Sequence, residues 1–243
     1  MTAETAESRW ARHAADGVLL DGFHALKHAL RFGARVPVAL ATDRRSALAL
    51  AEELAPDLTG TLDALLWEVP GATLTALVPR AHPTGVAALA LRDPAAVAPG
   101  DGAAPFVVLD NPRNLGNVGA VVRLAAGAGA GGVLTTGDLD PWHPAAVRAG
   151  AGLHFATQVA RRQVTELPDG PLFAFDPEGA DLRSVAVPDG AMLAFGSERH
   201  GLSAGMRARA DRLVALPMRP QVSSYNLATS VAMALYHWMA APR

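Results

Sequence analysis

The 243-residue chain has no cysteine. That absence removes disulfides, thiolate zinc sites, iron–sulfur clusters and any cysteine nucleophile. Lysine is almost missing as well: of 21 basic residues, 20 are Arg and one is Lys27. Set against 23 acidic residues, they leave a net charge of −2 and a pI near 6.4. This balance excludes an indiscriminate polyanion coat, which needs many phosphate contacts. A local basic patch stays open, and Arg is the better bidentate phosphate ligand. Aromatics are only 5% of the chain, and Trp10, Trp67, Trp142 and Trp238 read as packing residues and not as base-stacking platforms. No run is apolar and long enough for a bilayer: residues 118–134 come nearest, but Gly and Ala dominate them and Arg123 interrupts them. The first twelve residues carry Glu4, Glu7, Arg9 and Arg12 in place of an apolar signal core. The expectation is a soluble cytoplasmic protein without a membrane or metal partner. His24 and His28 stand at helical i,i+4 spacing but lack a third ligand nearby.

What is present is a core-forming composition. Half the residues are hydrophobic and 18% are charged, which excludes disorder as a whole-chain description. The length fits one large domain or two small ones. Residues 95–105 are small, Pro- and Gly-bearing and aperiodic, as linkers are. They place a boundary between domains 1–98 and 99–243. Neither side is a basic module, with 9 basic and 11 acidic residues before Gly100 and 12 of each from there on.

In the first part the pattern predicts strands at 18–20 and 36–41, and helices at 22–32 and 44–54. Further strands are predicted at 73–78 and 86–91, around the turn His82-Pro83-Thr84-Gly85. In the second part, strands are predicted at 106–109, near Val133, and at 153–159, 171–175, 191–195 and 213–216. Helices are predicted from Val118 to about Ala128, at 145–149, at 204–210 behind a Ser203 cap, and at 226–240. This alternation implies an α/β protein with a parallel sheet covered on both faces. Such sheets bind ligands at the carboxyl ends of their strands, which directs attention to the loops after Leu109, Phe195 and Leu216.

Gly127-Ala128-Gly129-Ala130-Gly131-Gly132 satisfies G-x-G-x-x-G. A dinucleotide site needs those glycines after a strand and opening a helix. Here they follow a helix and precede a strand, so they read as a glycine-rich helix terminus.

The three loops are richer. Residues 110–117 hold three Asn and an Arg between a buried strand and a helix, where free backbone N–H groups favour anions. Asn117 alone also reads as a simple N-cap, and Arg123 as a surface residue. The second loop, Gly196-Ser197-Glu198-Arg199-His200-Gly201-Leu202-Ser203, reads by itself as a tight turn with a solvated charge cluster. In the third, Ser224 and Asn226 precede the last helix as ordinary caps would.

Their order and spacing carry more than any one of them. Asn117-x-Gly119-x-x-x-Arg123, Gly196-x-Glu198-x-x-Gly201-Leu202, and Leu216-Pro217-Met218 with Ser224-Tyr225-Asn226 resemble the three motifs of the SpoU (TrmH-type) RNA 2′-O-ribose methyltransferases of the SPOUT superfamily. The resemblance covers residues 106–240. The first part is similar, through Leu20-Asp21-Gly22-Phe23-His24-Ala25-Leu26 and His82-Pro83-Thr84-Gly85-Val86-Ala87-Ala88, to the family's small L30e-like RNA-binding domain. Two residues depart from the pattern: Arg199 stands where many relatives carry Gly, and Tyr225 replaces the usual Leu between Ser and Asn.

The resemblance implies a parallel-sheet SPOUT domain with a C-terminal trefoil knot, behind an L30e-like domain. It implies a homodimer that methylates rRNA or tRNA from S-adenosylmethionine. Gly196, Leu216, Met218, Tyr225 and Leu227 would hold the cofactor. Arg123, Asn117, Glu198, Ser224 and Asn226 would form the catalytic set. Two other readings stay open: an RNA-binding member of the fold without activity, and an oxidoreductase that uses the glycine run.

Overall fold

The structure, a computed structural model, describes residues 4–92 and 102–241. The boundary expected between residues 98 and 99, and most of the linker, lie outside the described residues. The chain divides into two compact units: Met1–Pro94 with Ala151–Ala156, and Ala95–Gly150 with Thr157–Arg243.

The first unit contains α1 (Ala6–His13), β1 (Gly17–Asp21), α2 (Phe23–Arg31), β2 (Arg35–Ala41), α3 (Arg44–Leu54), α4 (Thr59–Leu65), β3 (Leu66–Glu68), α5 (Gly71–Leu77) and β4 (Val86–Leu91). Its four-stranded sheet has the order β1-β4-β2-β3. β4 runs antiparallel to both β1 and β2, while β3 is parallel to β2. Trp10, Val38, Leu40, Leu74, Val78, Ala87 and Leu89 form one buried cluster. Residues 71–77 are helical where a strand was predicted at 73–78. Leu74, Leu77 and Val78 recur at helical spacing and turn one stripe to that cluster. α1, absent from the sequence reading, is closed by a Thr5–Ser8 capping box and anchored by buried Trp10.

The second unit contains β5 (Phe106–Leu109), α6 (Leu115–Ala128), β6 (Gly132–Thr135), α7 (Pro144–Ala149), β7 (Gln158–Arg161), β8 (Leu172–Asp181), β9 (Met192–Phe195), α8 (Ala204–Arg209), β10 (Arg212–Ala215) and α9 (Leu227–Met239). Its six strands are all parallel, in the order β10-β8-β9-β5-β6-β7. This is the parallel α/β architecture expected, and the strand pattern explains it. Alternate side chains of one strand serve opposite faces. Val107 and Leu109 enter one core with Val118, Val121 and Val122 of α6 and Val231, Leu235 and Trp238 of α9. Val108, Ala174 and Ala194 enter the other, against Met206 of α8. The central strands β5, β6 and β9 are therefore buried on both sides, which is why each reads as a short apolar run.

Two boundaries differ from the prediction. The stretch expected as one strand at 153–159 is a 3-10 turn at Leu153–Phe155 followed by β7 from Gln158. α6 begins at Leu115, three residues early, because Asn114 is its cap. The glycine run behaves as expected: α6 ends at Ala128, Gly129 is its left-handed cap, and β6 starts at Gly132. No dinucleotide-binding strand-turn-helix exists there.

Candidate active site at the carboxyl edge of the parallel sheet

The chain runs from β5 outward to β6 and β7, then returns to the other side of β5 to lay down β8, β9 and β10. Strand order reverses at the β5/β9 pair, the place where open α/β sheets leave a crevice at their carboxyl ends. Beside it, over β8, β9 and β10, opens a cleft of about 460 Å³ walled by those strands and by the loops after β9 and β10. Its lining includes Phe175, Phe195, Leu216, Met218 and Leu227 on the apolar side, and Asp176, Glu198, Ser223 and Ser224 on the polar side.

The loops are held by their own backbone and by side chains that cross between them. After β9, the Ser197 and Gly201 main chains exchange two hydrogen bonds of 3.0 and 2.9 Å, closing a tight turn over Glu198, Arg199 and His200. Gly196 lies so close to the Gly201–Leu202 backbone that no Cβ fits, which fixes glycine at this position. Asp110, 2% exposed at the end of β5, accepts from the Thr136 hydroxyl at 2.7 Å and from Ser203 N–H at 2.6 Å. It thereby ties the β5 and β6 ends to the start of α8. After β10, the Tyr225 hydroxyl donates to the Pro217 carbonyl at 3.1 Å, folding that loop back on itself.

Asn117 does not cap α6. Asn114 does, its Oδ1 accepting the Asn117 N–H at 3.1 Å. This frees the Asn117 side chain, one turn in, to reach outward. Its Nδ2 donates to Glu198 Oε1 at 2.5 Å, and its Oδ1 accepts from Asn226 Nδ2 at 3.1 Å. Asn226 in turn caps α9, accepting from Ala228 N–H at 2.9 Å. One three-residue clasp thus joins the loops after β5, β9 and β10.

Of the ten residues singled out from the sequence, seven line the cleft: Gly196, Leu216, Met218, Tyr225, Leu227, Glu198 and Ser224. Asn117 and Asn226 meet Glu198 in the clasp. Arg123 is not brought to them. It is exposed on α6, lies outside the cleft lining and has no hydrogen-bond or ion-pair partner among the described residues. The sequence reading missed Phe175, Asp176 and Pro177 of β8, which lie in no recognisable short motif, and Asp110, whose partners are 26 and 93 residues away. Among the described residues no cluster of three or more His, Asp or Glu is placed to hold a metal ion, and no helix is long and apolar enough to cross a membrane.

A parallel sheet with a helix core on each face, a cleft at its carboxyl edge and a polar clasp beside it defines the class: a parallel α/β domain with a candidate ligand site. Residues 104–236 match the model of the SpoU rRNA Methylase family, more than half of the chain, and the protein belongs to that family. It is 32% identical over 182 residues to an uncharacterized tRNA/rRNA methyltransferase of Synechocystis, covering 69% of this chain and 65% of that protein, just under two thirds of the relative's length. It resembles a crystal structure of an RNA 2′-O ribose methyltransferase at 28% identity and TM-score 0.74, over 96% of this chain and 92% of the other. The fold also matches an AdoMet-bound rRNA methyltransferase from Sinorhizobium meliloti, at 22% identity and TM-score 0.74 over 98% and 95% of the two chains.

Proposed function

We propose that the chain is an S-adenosylmethionine-dependent RNA 2′-O-ribose methyltransferase acting on rRNA or tRNA. The observation that carries this reading is the clasp Asn117–Glu198–Asn226, which draws three separate loops of the family-matched segment around one cleft.

The cleft fits the cofactor. Its volume of about 460 Å³ lies within the usual small-molecule range of roughly 300–1,000 Å³. Its wall combines apolar side chains with hydroxyls and exposed loop backbone. Gly196, Leu216, Met218, Tyr225 and Leu227 would hold the cofactor, largely through main-chain groups. When bound, it supplies a methyl group on a sulfonium, already activated for transfer. The protein's share is then to orient a ribose 2′-hydroxyl and to let its proton leave. Ser224, on the cleft wall and without a hydrogen-bond partner among the described residues, would bond the incoming hydroxyl. Asn117 and Asn226 hold the loop geometry that sets the approach, and Glu198 braces Asn117.

Arg123 serves as a cation and not as a base, because a guanidinium stays protonated in proteins. It binds the RNA backbone, where a planar fork suits phosphate. Its distance from its own chain's cleft is accommodated by a homodimer whose active site lies at the subunit interface. α9 leaves Tyr236 and Met239 exposed, apolar surface available to such a contact. Arg113, Arg199 and Arg219, one on each loop, have guanidinium groups with no ion-pair or hydrogen-bond partner among the described residues. Arg31, Arg44, Arg183 and Arg207, away from the loop tips, are all paired with carboxylates. Free arginines on these three loops support an RNA partner. In this reading, residues 1–98 form the L30e-like RNA-binding domain, residues 99–243 form the catalytic domain with a C-terminal trefoil knot, and the protein works in the cytoplasm.

Calorimetry with millimolar S-adenosylmethionine tests the assignment first, and absence of binding defeats it. Arg123→Ala is expected to abolish methyl transfer with little change in cofactor affinity. Unchanged turnover would remove Arg123 from the mechanism. Cofactor binding without transfer to any RNA would favour a silent RNA-binding member of the fold.

A further inference from the structure

β8 carries a local irregularity beside the cleft. Its pairing with β10 jumps, so that Leu213 faces Ala174 while the next residue, Val214, faces Ala180. Residues 175–179 therefore have no partners on β10, and Gly179 lies against the Leu213–Val214 backbone, where a Cβ would overlap main-chain atoms. The bulge presents Phe175, Asp176 and Pro177 to the cleft.

The Asp176 side chain is only 11% exposed. Oδ2 accepts from Arg207 Nε at 3.1 Å and is ion-paired with Arg207 Nη2 at 2.6 Å, Oδ1 accepts from Glu178 N–H at 3.0 Å, and Arg207 Nη2 donates to Glu178 Oε2 at 3.1 Å. A carboxylate offers about four lone-pair sites. On Oδ1 one is taken by the Glu178 N–H, and one is left. Burial pushes this carboxyl up, but the hydrogen bonds from Arg207 and from Glu178 N–H outweigh it and hold it below its ordinary value. The group is an ionised acceptor in a mostly apolar wall. Arg207 already pairs with it at contact distance, and the one open site on Oδ1 suits a single neutral donor better than an ammonium ion, which seeks several acceptors. Next to it, Phe175 stacks on Phe195 with centroids 4.3 Å apart and planes 12° from parallel, an apolar surface of base-ring size within the same cleft.

We infer that Asp176 accepts a hydrogen bond from a ribose hydroxyl of the cofactor's adenosine, making it the residue that selects a nucleoside diol in the cleft. The inference rests on the methyltransferase reading above. A carboxylate on a ribose hydroxyl is a recurrent solution where α/β proteins hold nucleotides.

The test uses 5′-methylthioadenosine, which keeps the adenosine diol and lacks the amino acid, and its 2′,3′-dideoxy counterpart. Both are titrated into the full-length protein, alongside S-adenosylhomocysteine. The wild type is expected to prefer the diol by roughly tenfold to a hundredfold, the range for a hydrogen bond to a charged group. Asp176→Asn and Asp176→Ala should lose most of that preference while keeping the wild-type circular dichroism spectrum. A wild-type ratio near one overturns the assignment whatever the variants do. A preference that survives in both variants overturns it too. So does a loss confined to S-adenosylhomocysteine, which would place Asp176 at the amino-acid end. Failure of the wild type to bind any of the three ligands would defeat the proposed function itself, and this assignment with it.

Discussion

Asn117 shows how one residue's role depends on its neighbour. In the sequence both Asn114 and Asn117 can cap α6, and nothing local ranks them. In the fold Asn114 takes the cap, and the Asn117 amide spans Glu198 and Asn226. Its polarity is fixed by its partners, since Nδ2 must face the carboxylate and Oδ1 the Asn226 amide. Asn117→Asp places two carboxylates together and should cut methyl transfer by at least about tenfold, the effect of losing one charge-assisted hydrogen bond. The double variant Asn117→Asp with Glu198→Gln reverses donor and acceptor and should recover much of that loss. Steady-state methylation assays check both, and an absence of rescue would separate Glu198 from Asn117. Asp176 makes a pH prediction. Its carboxyl is depressed in the folded state, so its contribution to stability is complete above its unfolded value, ~3.9. That contribution is lost as pH falls through the folded value. Acid denaturation of Asp176→Asn should accordingly show a smaller drop in stability below about pH 4 than the wild type.

At the scale of elements, α9 couples stability to the site through a single residue. Asn226 caps the helix with its Oδ1 and completes the clasp with its Nδ2. Asn226→Ala should cost about 1 kcal/mol for the lost cap, measured by urea unfolding, and activity as well. Asn226→Asp keeps the cap acceptor at a helix N-terminus, where negative charge is favourable, but cannot donate to Asn117. It should keep near-wild-type stability and still lose activity; equal losses of both would show that the cap alone matters. The elements of the second unit were legible because its central strands are buried on both faces and its helices follow polar, cap-bearing loops. The first unit was less so. Residues 73–78 carry Thr and Val but pack by the i, i+4 contact of Leu74 and Val78, and β3 is only three residues long. Within the site, the three loops were readable as motifs. The β8 bulge was not, because it arises from a register jump against β10, a strand more than thirty residues away. Arg123 taken alone was readable as an exposed helix residue, but its place outside the cleft lining was not.

For the molecule as a whole, the charge balance takes on a definite meaning. In the proposed reading a chain of net charge −2 with one lysine would reach RNA through a few placed arginines, and its affinity should depend on salt only weakly. With three or four phosphate contacts the slope of log K against log salt should be about −2 to −3. Filter binding across a salt series measures it, and a slope several times steeper would reveal an extended basic surface that the fold does not display. The central claim is methyl transfer to ribose. The most direct measurement incubates the purified protein with unmodified rRNA and tRNA and methyl-labelled S-adenosylmethionine, then digests the RNA with alkali. The account predicts label retained in alkali-resistant dinucleotides, the mark of a 2′-O-methyl group, and its loss in Arg123→Ala. Label recovered only on bases, or no label in any RNA despite cofactor binding, would contradict it.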